Sequence, residues 1–282
     1  MKEALFYKKD SGGFVVCGLC PHSCRIPAGG IGLCGARMND NGTLIAESYG
    51  QITSLNLDPI EKKPLRRFYP GSMILSAGNY GCNMKCAYCQ NHSISQGKPE
   101  TKYVSPEELL RVAKVMGGNL GIAFTYNEPL ISIEYVLETA LLFREAGLKV
   151  ILITNGMINP EPLKVILAHV DAMNIDVKAF SSERYGKLSG DLAAVKNTVE
   201  CSAALCHVEI TSLIVPWQND GVEDMQSLAE WLAGISPEIA FHISRFFPCN
   251  KMTDCSPTPI DTMKELAAVA QKSLKYVYLG NV

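Results

Sequence analysis

The chain has 282 residues, 47% of them apolar and 19% charged, with 26 basic against 28 acidic side chains and a net charge of −2. That balance lacks the basic footprint of phosphate-backbone binding, so nucleic acid is not an expected partner, and the apolar content excludes a disordered or fibrous chain. The opening MKEALFYKKDSGGFVV has no apolar signal region and no run reaches the ~18 apolar residues of a membrane span, so a cytoplasmic protein without membrane association is expected.

Residues 1–72 read as a small Cys-rich N-terminal metal-binding module and linker. They contain four cysteines, many glycines, a hairpin-like pair in GTLIAESYGQITSLNL and the Pro- and charge-rich stretch DPIEKKPLRRFYPG. From residue 73 to 282 short apolar runs alternate with amphipathic ones. Strands are expected at 73–78, 120–124, 150–154, 173–178, 208–215 and 239–244, with YVYL at 276–279 as a last strand. Helices are expected at 105–116, 131–146, 160–169, 191–205, 222–233 and 259–272. The first has Ser105 as N-cap, Pro106 at N1 and Glu108 at the capping-box position. Six βα units fall short of the eight of a closed barrel, so the expected fold is α/β, a partial (βα)6 TIM-type barrel.

Eleven cysteines in tight clusters, without a secretory signal, point to metal or redox chemistry rather than disulfides. Cys82, Cys86 and Cys89 form C-x3-C-x2-C directly after the first barrel strand, where barrel enzymes place their chemistry. Iron–sulfur clusters are held by thiolates, usually four. Three thiolates on a 4Fe–4S cubane leave one iron open to chelation by an amine and a carboxylate, as in the methionine end of S-adenosylmethionine. Structural zinc at this loop would need a fourth ligand that the segment does not offer.

The C-x3-C-x2-C pattern with an aromatic, Tyr88, before its last cysteine resembles the radical S-adenosylmethionine (radical SAM) superfamily. More narrowly, CGLCPHSCRIPAGGIGLCGARMN, DPIEKKPL, GCNMKCAYCQN, FTYNEP and YVYLGNV resemble the pyruvate formate-lyase activating enzyme branch and its AmmeMemoRadiSam-type members. The resemblance implies an oxidoreductase that reductively cleaves S-adenosylmethionine to methionine and a 5′-deoxyadenosyl radical for hydrogen abstraction. It also implies an electron donor of the flavodoxin or ferredoxin type, with a protein substrate as one option. Asn127 and Glu128 stand where the superfamily has a Gly-Gly-Glu turn that holds the methionine ammonium; the glycines are replaced here. Asn155 of TNG and Asp176 and Lys178 of NIDVK match segments lining the cofactor pocket, and Arg245 of HISRFFP matches a region closing over the cofactor. Asp176 and Lys178 lie two apart on a strand and therefore share a face. His242 reads more readily as a satisfied core group. Chains of this kind continue past YVYLGNV into a tail with a further C-x2-C, whereas this sequence stops at Val282.

Cys17, Cys20, Cys24 and Cys34, spaced C-x2-C-x3-C-x9-C, are expected to share one further metal centre, with His22 as an added candidate ligand. Zinc and a second 4Fe–4S cluster both satisfy four thiolates. The run is not a plain pair of zinc knuckles, which favours the cluster. Cys201 and Cys206 read as small core residues, and Cys249 and Cys255 as candidates for substrate contact or a third centre. The competing function is a non-catalytic iron–sulfur or zinc scaffold, or an electron-relay protein. A zinc hydrolase is disfavoured by five histidines scattered singly.

Overall fold

The structure is a computed structural model describing residues 1–282. Its first part is built of short antiparallel pieces: β1 (Tyr7–Lys9), β2 (Val15–Cys17) and β3 (Arg25–Ile26) form one sheet, and β4 (Arg37–Asp40) and β5 (Thr43–Ala46) form a hairpin. Then follow β6 (Gln51–Ile52), β7 (Ser54–Pro59), β8 (Met73–Gly78), α1 (His92–Ser95), β9 (Lys102–Tyr103), α2 (Pro106–Val115), β10 (Asn119–Phe124), α3 (Ile133–Glu145) and β11 (Lys149–Thr154). The chain continues through α4 (Pro160–Leu167), β12 (Ala172–Asp176), α5 (Ser182–Lys187), α6 (Leu192–Ala203), β13 (His207–Ile214), α7 (Val222–Ile235), β14 (Ala240–Arg245), α8 (Ile260–Ala270) and β15 (Val277–Gly280). No helix is long and apolar enough to cross a membrane.

One eight-stranded sheet runs in the order β7-β8-β10-β11-β12-β13-β14-β15. From β8 to β15 every pairing is parallel, and β7 adds an antiparallel edge. This is the expected partial barrel of six βα units with a closing strand. Local signals set its elements: α2 carries the full capping box between Ser105 and Glu108, with Pro106 behind the cap.

The hairpin expected within GTLIAESYGQITSLNL does not form. β5 pairs back onto β4, β6 pairs with β9, and β7 pairs with β8. Apolar alternation marks a strand and its inner face but does not select its partner. A turn through Gly50, at φ +69, sends the chain away from β5.

Alternate residues of the parallel strands face two cores. Leu75, Ile122, Leu152 and Met173 pack outward into the large core beneath the helices, continuous with Val15, Leu19, Ile26 and Leu44 of the N-terminal part. Ile74, Ala123, Ile151 and Ala172 face inward, where Ile60 and Leu65 pack on them. Residues 60–68 therefore form a strap across the inside of the barrel. The Asn174 amide donates to the Pro64 carbonyl at 2.9 Å, and the backbone N–H groups of Arg66 and Arg67 donate to the Glu209 carboxylate at 3.0 and 2.7 Å. At its far end Arg67 stacks 3.5 Å over the Tyr276 ring and Arg66 sits 5.3 Å over that of Tyr278 on β15. The strap thus joins the β7 side of the open sheet to its β15 side. Fully burying Leu65 contributes roughly 1.5–3 kcal/mol to holding it there.

Candidate active site

At the C-terminal ends of the strands lies a cavity of about 360 Å³, within the ~300–1,000 Å³ usual for small-molecule sites. The loop after β8 brings Cys82, Cys86 and Cys89 to its wall, and all three thiols are free of disulfides. Gly81 lets that loop form: it sits at φ +89, and a Cβ there would meet the Cys34 carbonyl oxygen at 2.6 Å. Burial pushes the Cys82 and Cys86 thiols up, with Glu128 adding to the effect at Cys82 and Lys178 opposing it at Cys86.

Asp176 and Lys178 line the same cavity and pair at 2.9 Å. Burial works against the Lys178 ammonium, but Asp176, Cys86 and Tyr88 together outweigh it and raise the pKa well above the usual lysine value. Tyr88, 5% exposed, also lines the cavity, and its hydroxyl pKa is raised by burial. Asn127 turns its amide back onto the cysteine loop, donating to the Gly81 carbonyl at 3.1 Å and accepting from the Asn79 N–H at 3.1 Å. Asn155 donates to the Cys82 sulfur at 3.6 Å and to the Asn83 side-chain oxygen at 2.9 Å.

Glu128 lines the cavity but is 2% exposed. Its carboxylate accepts from the Leu130 N–H at 3.0 Å, the Thr154 hydroxyl at 2.7 Å and the Asn155 N–H at 2.7 Å. It caps the turn Pro129–Ser132 while tying the β10 end to the β11 end. Burial raises its pKa to about 7 against the pull of those three donors.

Arg245 is the expected site residue that the structure does not bring to the cavity. Ser244, one residue earlier, lines it instead. Side chains alternate along β14, so His242 and Ser244 face inward and Arg245 faces out, where it donates to the Thr258 carbonyl at 2.7 Å and lies 5.0 Å over the Phe247 ring. His242 is buried against Glu209 at 2.6 Å and stacked on Tyr278. Cys201 is exposed on α6 rather than packed in the core, whereas Cys206 is half-buried. The Cys249 thiol donates to the Tyr88 carbonyl at 3.2 Å, next to the cysteine loop.

Sequence reasoning missed the strap's share of the wall. Lys62 and Lys63 of DPIEKKPL line the cavity beside Tyr126. Lys63, its side chain 4% exposed, pairs with Asp58 at 2.8 Å, and Tyr126 donates to the same carboxylate oxygen at 2.8 Å. Burial pushes the Asp58 carboxyl up, but Lys63 and Tyr126 outweigh it and bring the pKa to about 2. The preceding Pro and paired charges read as a linker; only the fold reveals that they face inward. A wider open depression of about 710 Å³, lined by Lys2, Tyr49, Tyr80 and Tyr103 among others, contains none of the candidate ligands.

A partial parallel barrel with three free thiols and an ion pair converging at its C-terminal mouth defines a barrel enzyme built around a thiolate-held cofactor. The Radical SAM superfamily profile matches residues 78–232, more than half of the chain, and the chain belongs to that superfamily. It is 42% identical over 289 residues to the uncharacterized protein MJ0808 of Methanocaldococcus jannaschii, covering 100% of this chain and 86% of that one. A pyruvate formate-lyase-activating enzyme of Clostridium pasteurianum is 27% identical over 169 residues, 55% of this chain and 67% of that enzyme. The crystal structure of a radical SAM methyltransferase from Sphaerobacter thermophilus superposes with a TM-score of 0.54 at 13% identity, covering 75% of this chain and 67% of that one. That likeness shows the fold.

The superfamily uses a 4Fe–4S cluster and S-adenosylmethionine. This donor set fits them: three thiols share one loop and one cavity, and the cavity has both an ammonium and carboxylates on its wall.

Proposed function

We propose that the chain reductively cleaves S-adenosylmethionine and uses the resulting radical to abstract hydrogen from a substrate, with a flavodoxin- or ferredoxin-type protein as electron donor. The observation that carries this reading is the convergence of Cys82, Cys86, Cys89, Asp176 and Lys178 on one cavity at the strand ends. In it the three thiolates hold the cluster, which when bound supplies the electron that splits the cofactor's C–S bond.

The remaining roles belong to the side chains. Lys178 offers a charged donor to the carboxylate of the bound methionine, and Asp176 keeps that ammonium protonated and aimed. Tyr88, within the cysteine loop, forms part of the cavity wall beside the cofactor. Asn127 and Asn155 hold the loop's backbone and the Cys82 sulfur in place, and Glu128 fixes the ends of β10 and β11 between them. Lys62, Lys63 and Tyr126 form the wall on the strap side, where a substrate enters. The 27% identity to an activating enzyme supports a glycyl-radical-activase-like role, with a protein backbone glycine as substrate. The part of the chain before β7 holds a second metal centre on Cys17, Cys20, Cys24 and Cys34, while β7 and the strap, also within residues 1–72, belong to the barrel with residues 73–282.

Anaerobically reconstituted, iron-loaded protein given reductant and S-adenosylmethionine is expected to release 5′-deoxyadenosine and methionine, and Cys86→Ala to abolish both. Absence of product from fully loaded wild type overturns the reading.

A further inference from the structure

The strap carries into the active-site cavity a positive charge that the carboxylates around it leave unmatched. Lys62 and Lys63 both line the cavity, and both face the single carboxylate of Asp58. Its Oδ2 accepts from the Lys63 ammonium at 2.8 Å and from the Tyr126 hydroxyl at 2.8 Å. Its Oδ1 lies 3.7 Å from the Lys62 ammonium, beyond hydrogen-bond reach. Two ammonium groups thus share one negative charge. The other carboxylates of the wall are engaged elsewhere, Asp176 by Lys178 at 2.9 Å and Glu128 by its three donors.

Lys62 is the one of the two lysines that can reach a ligand. The Lys63 side chain is 4% exposed and that of Lys62 is 68% exposed. The backbone beneath Lys62 is nonetheless fixed, because it ends the 3₁₀ turn Ile60–Lys62 and lies between the fully buried Ile60 and Leu65.

Tyr126 holds this arrangement in place. It sits at φ +72, a costly conformation for an aromatic residue. Besides its bond to Asp58, its hydroxyl accepts from the Asn56 amide at 3.3 Å and its carbonyl from the Asn91 amide at 2.7 Å. The Lys63 ammonium lies 4.7 Å over its ring. Backbone strain persists only where the surroundings over-determine it, and it collects at ligand-binding sites. With Tyr126 and Lys63 both on Oδ2, Lys62 is left as the free cation of the wall.

One unit of excess charge suits a singly charged anion. A phosphate, at about −1.5 to −2, would leave negative charge over, and no arginine lines the cavity to fork it. We propose that Lys62 binds a carboxylate of the substrate, so that the strap selects molecules bearing a free carboxylate near the hydrogen to be abstracted. The proposal rests on the function proposed above, in which Lys178 serves the cofactor's own carboxylate.

The test uses anaerobically reconstituted, iron-loaded protein with S-adenosylmethionine and no reductant, so that binding is read without cleavage. Two pairs of probes, each differing by one charge, are titrated calorimetrically. The first is N-acetylglycine against N-acetylglycinamide, and the second is the capped dipeptide acetyl-Gly-Asp-amide against acetyl-Gly-Asn-amide. Wild type is expected to prefer the carboxylate by about threefold or more, as for an ion pair partly open to water, and added salt to shrink that preference. Lys62→Gln should lose it and Lys62→Arg should regain it. A larger preference in the first pair identifies a small-molecule acid, and a larger one in the second an acidic peptide segment. Equal binding within both pairs, no binding of any probe, or a preference that survives in Lys62→Gln overturns the proposal. So does a loss of S-adenosylmethionine affinity in Lys62→Gln as large as the loss of preference, which would give Lys62 to the cofactor. Failure of reduced wild type to form 5′-deoxyadenosine would instead sink the function on which the proposal rests, and these titrations do not depend on that reaction.

Discussion

Replacing Glu209 by Gln tests the strap that closes the barrel. Glu209 is fully buried and takes His207 at 3.0 Å, His242 at 2.6 Å and the backbone N–H groups of Arg66 and Arg67. Burial pushes the carboxyl up, but those four partners outweigh it and lower the pKa from its ordinary 4.5 to about 2. At ~1.36 kcal/mol per unit that depression is worth about 3 kcal/mol, in line with the ~3–5 kcal/mol lost when one partner of a buried pair is removed. At roughly 2–4 °C per kcal/mol, the melting temperature is expected to fall by about 6–12 °C. Because the folded pKa is depressed, the contribution is complete above the ordinary carboxyl range and disappears as pH falls toward 2. Urea unfolding of both proteins, held anaerobic, should therefore show a constant stability gap from pH ~5 to 8 that closes on further acidification. A gap below about 1 kcal/mol at neutral pH, or one that acid leaves unchanged, refutes the reasoning.

Two further outcomes follow from the site. Glu128, with its pKa raised to about 7, binds its proton more tightly in the folded chain than in the unfolded one, so it lowers stability as pH rises from the ordinary carboxyl range to about 7. Glu128→Gln should flatten that slope and remove a protonated-carboxyl infrared band titrating near neutrality; a wild type with no carboxyl titrating above pH ~6 contradicts this assignment. Lys178→Met should weaken equilibrium S-adenosylmethionine binding about tenfold or more, since a charge-assisted bond is worth ~1.5–3 kcal/mol, whereas Arg245→Ala should leave it within about twofold; the reverse order would return Arg245 to the site.

Much of the fold was legible because short-range signals set it. The capping box at Ser105–Glu108 and the alternation of MILSAG or IAFHIS depend on neighbours within a few residues. Alternation also held the correction for Arg245: His242 and Ser244 share one face, and Arg245 takes the other. Asp176 ends β12 and Lys178 lies two residues beyond it, so the strand stops short of the end expected at residue 178, yet both line the cavity. Strand pairing was not legible, and the apparent hairpin in GTLIAESYGQITSLNL dispersed to three different partners.

The sequence by itself determined the βα rhythm and the grouping of seven cysteines into two sets, because each is carried by periodicity or spacing within a short segment, and its motifs carried the resemblance to the superfamily. Only the tertiary structure decided that DPIEKKPLRRF crosses the barrel and puts Lys63 beside the cavity. Only the tertiary structure showed that Cys34 and Cys82, nearly fifty residues apart, share a hydrogen bond. The physical reason is common to both: a buried charge or backbone group is satisfied by whichever partner packing brings close, and sequence separation does not record that proximity.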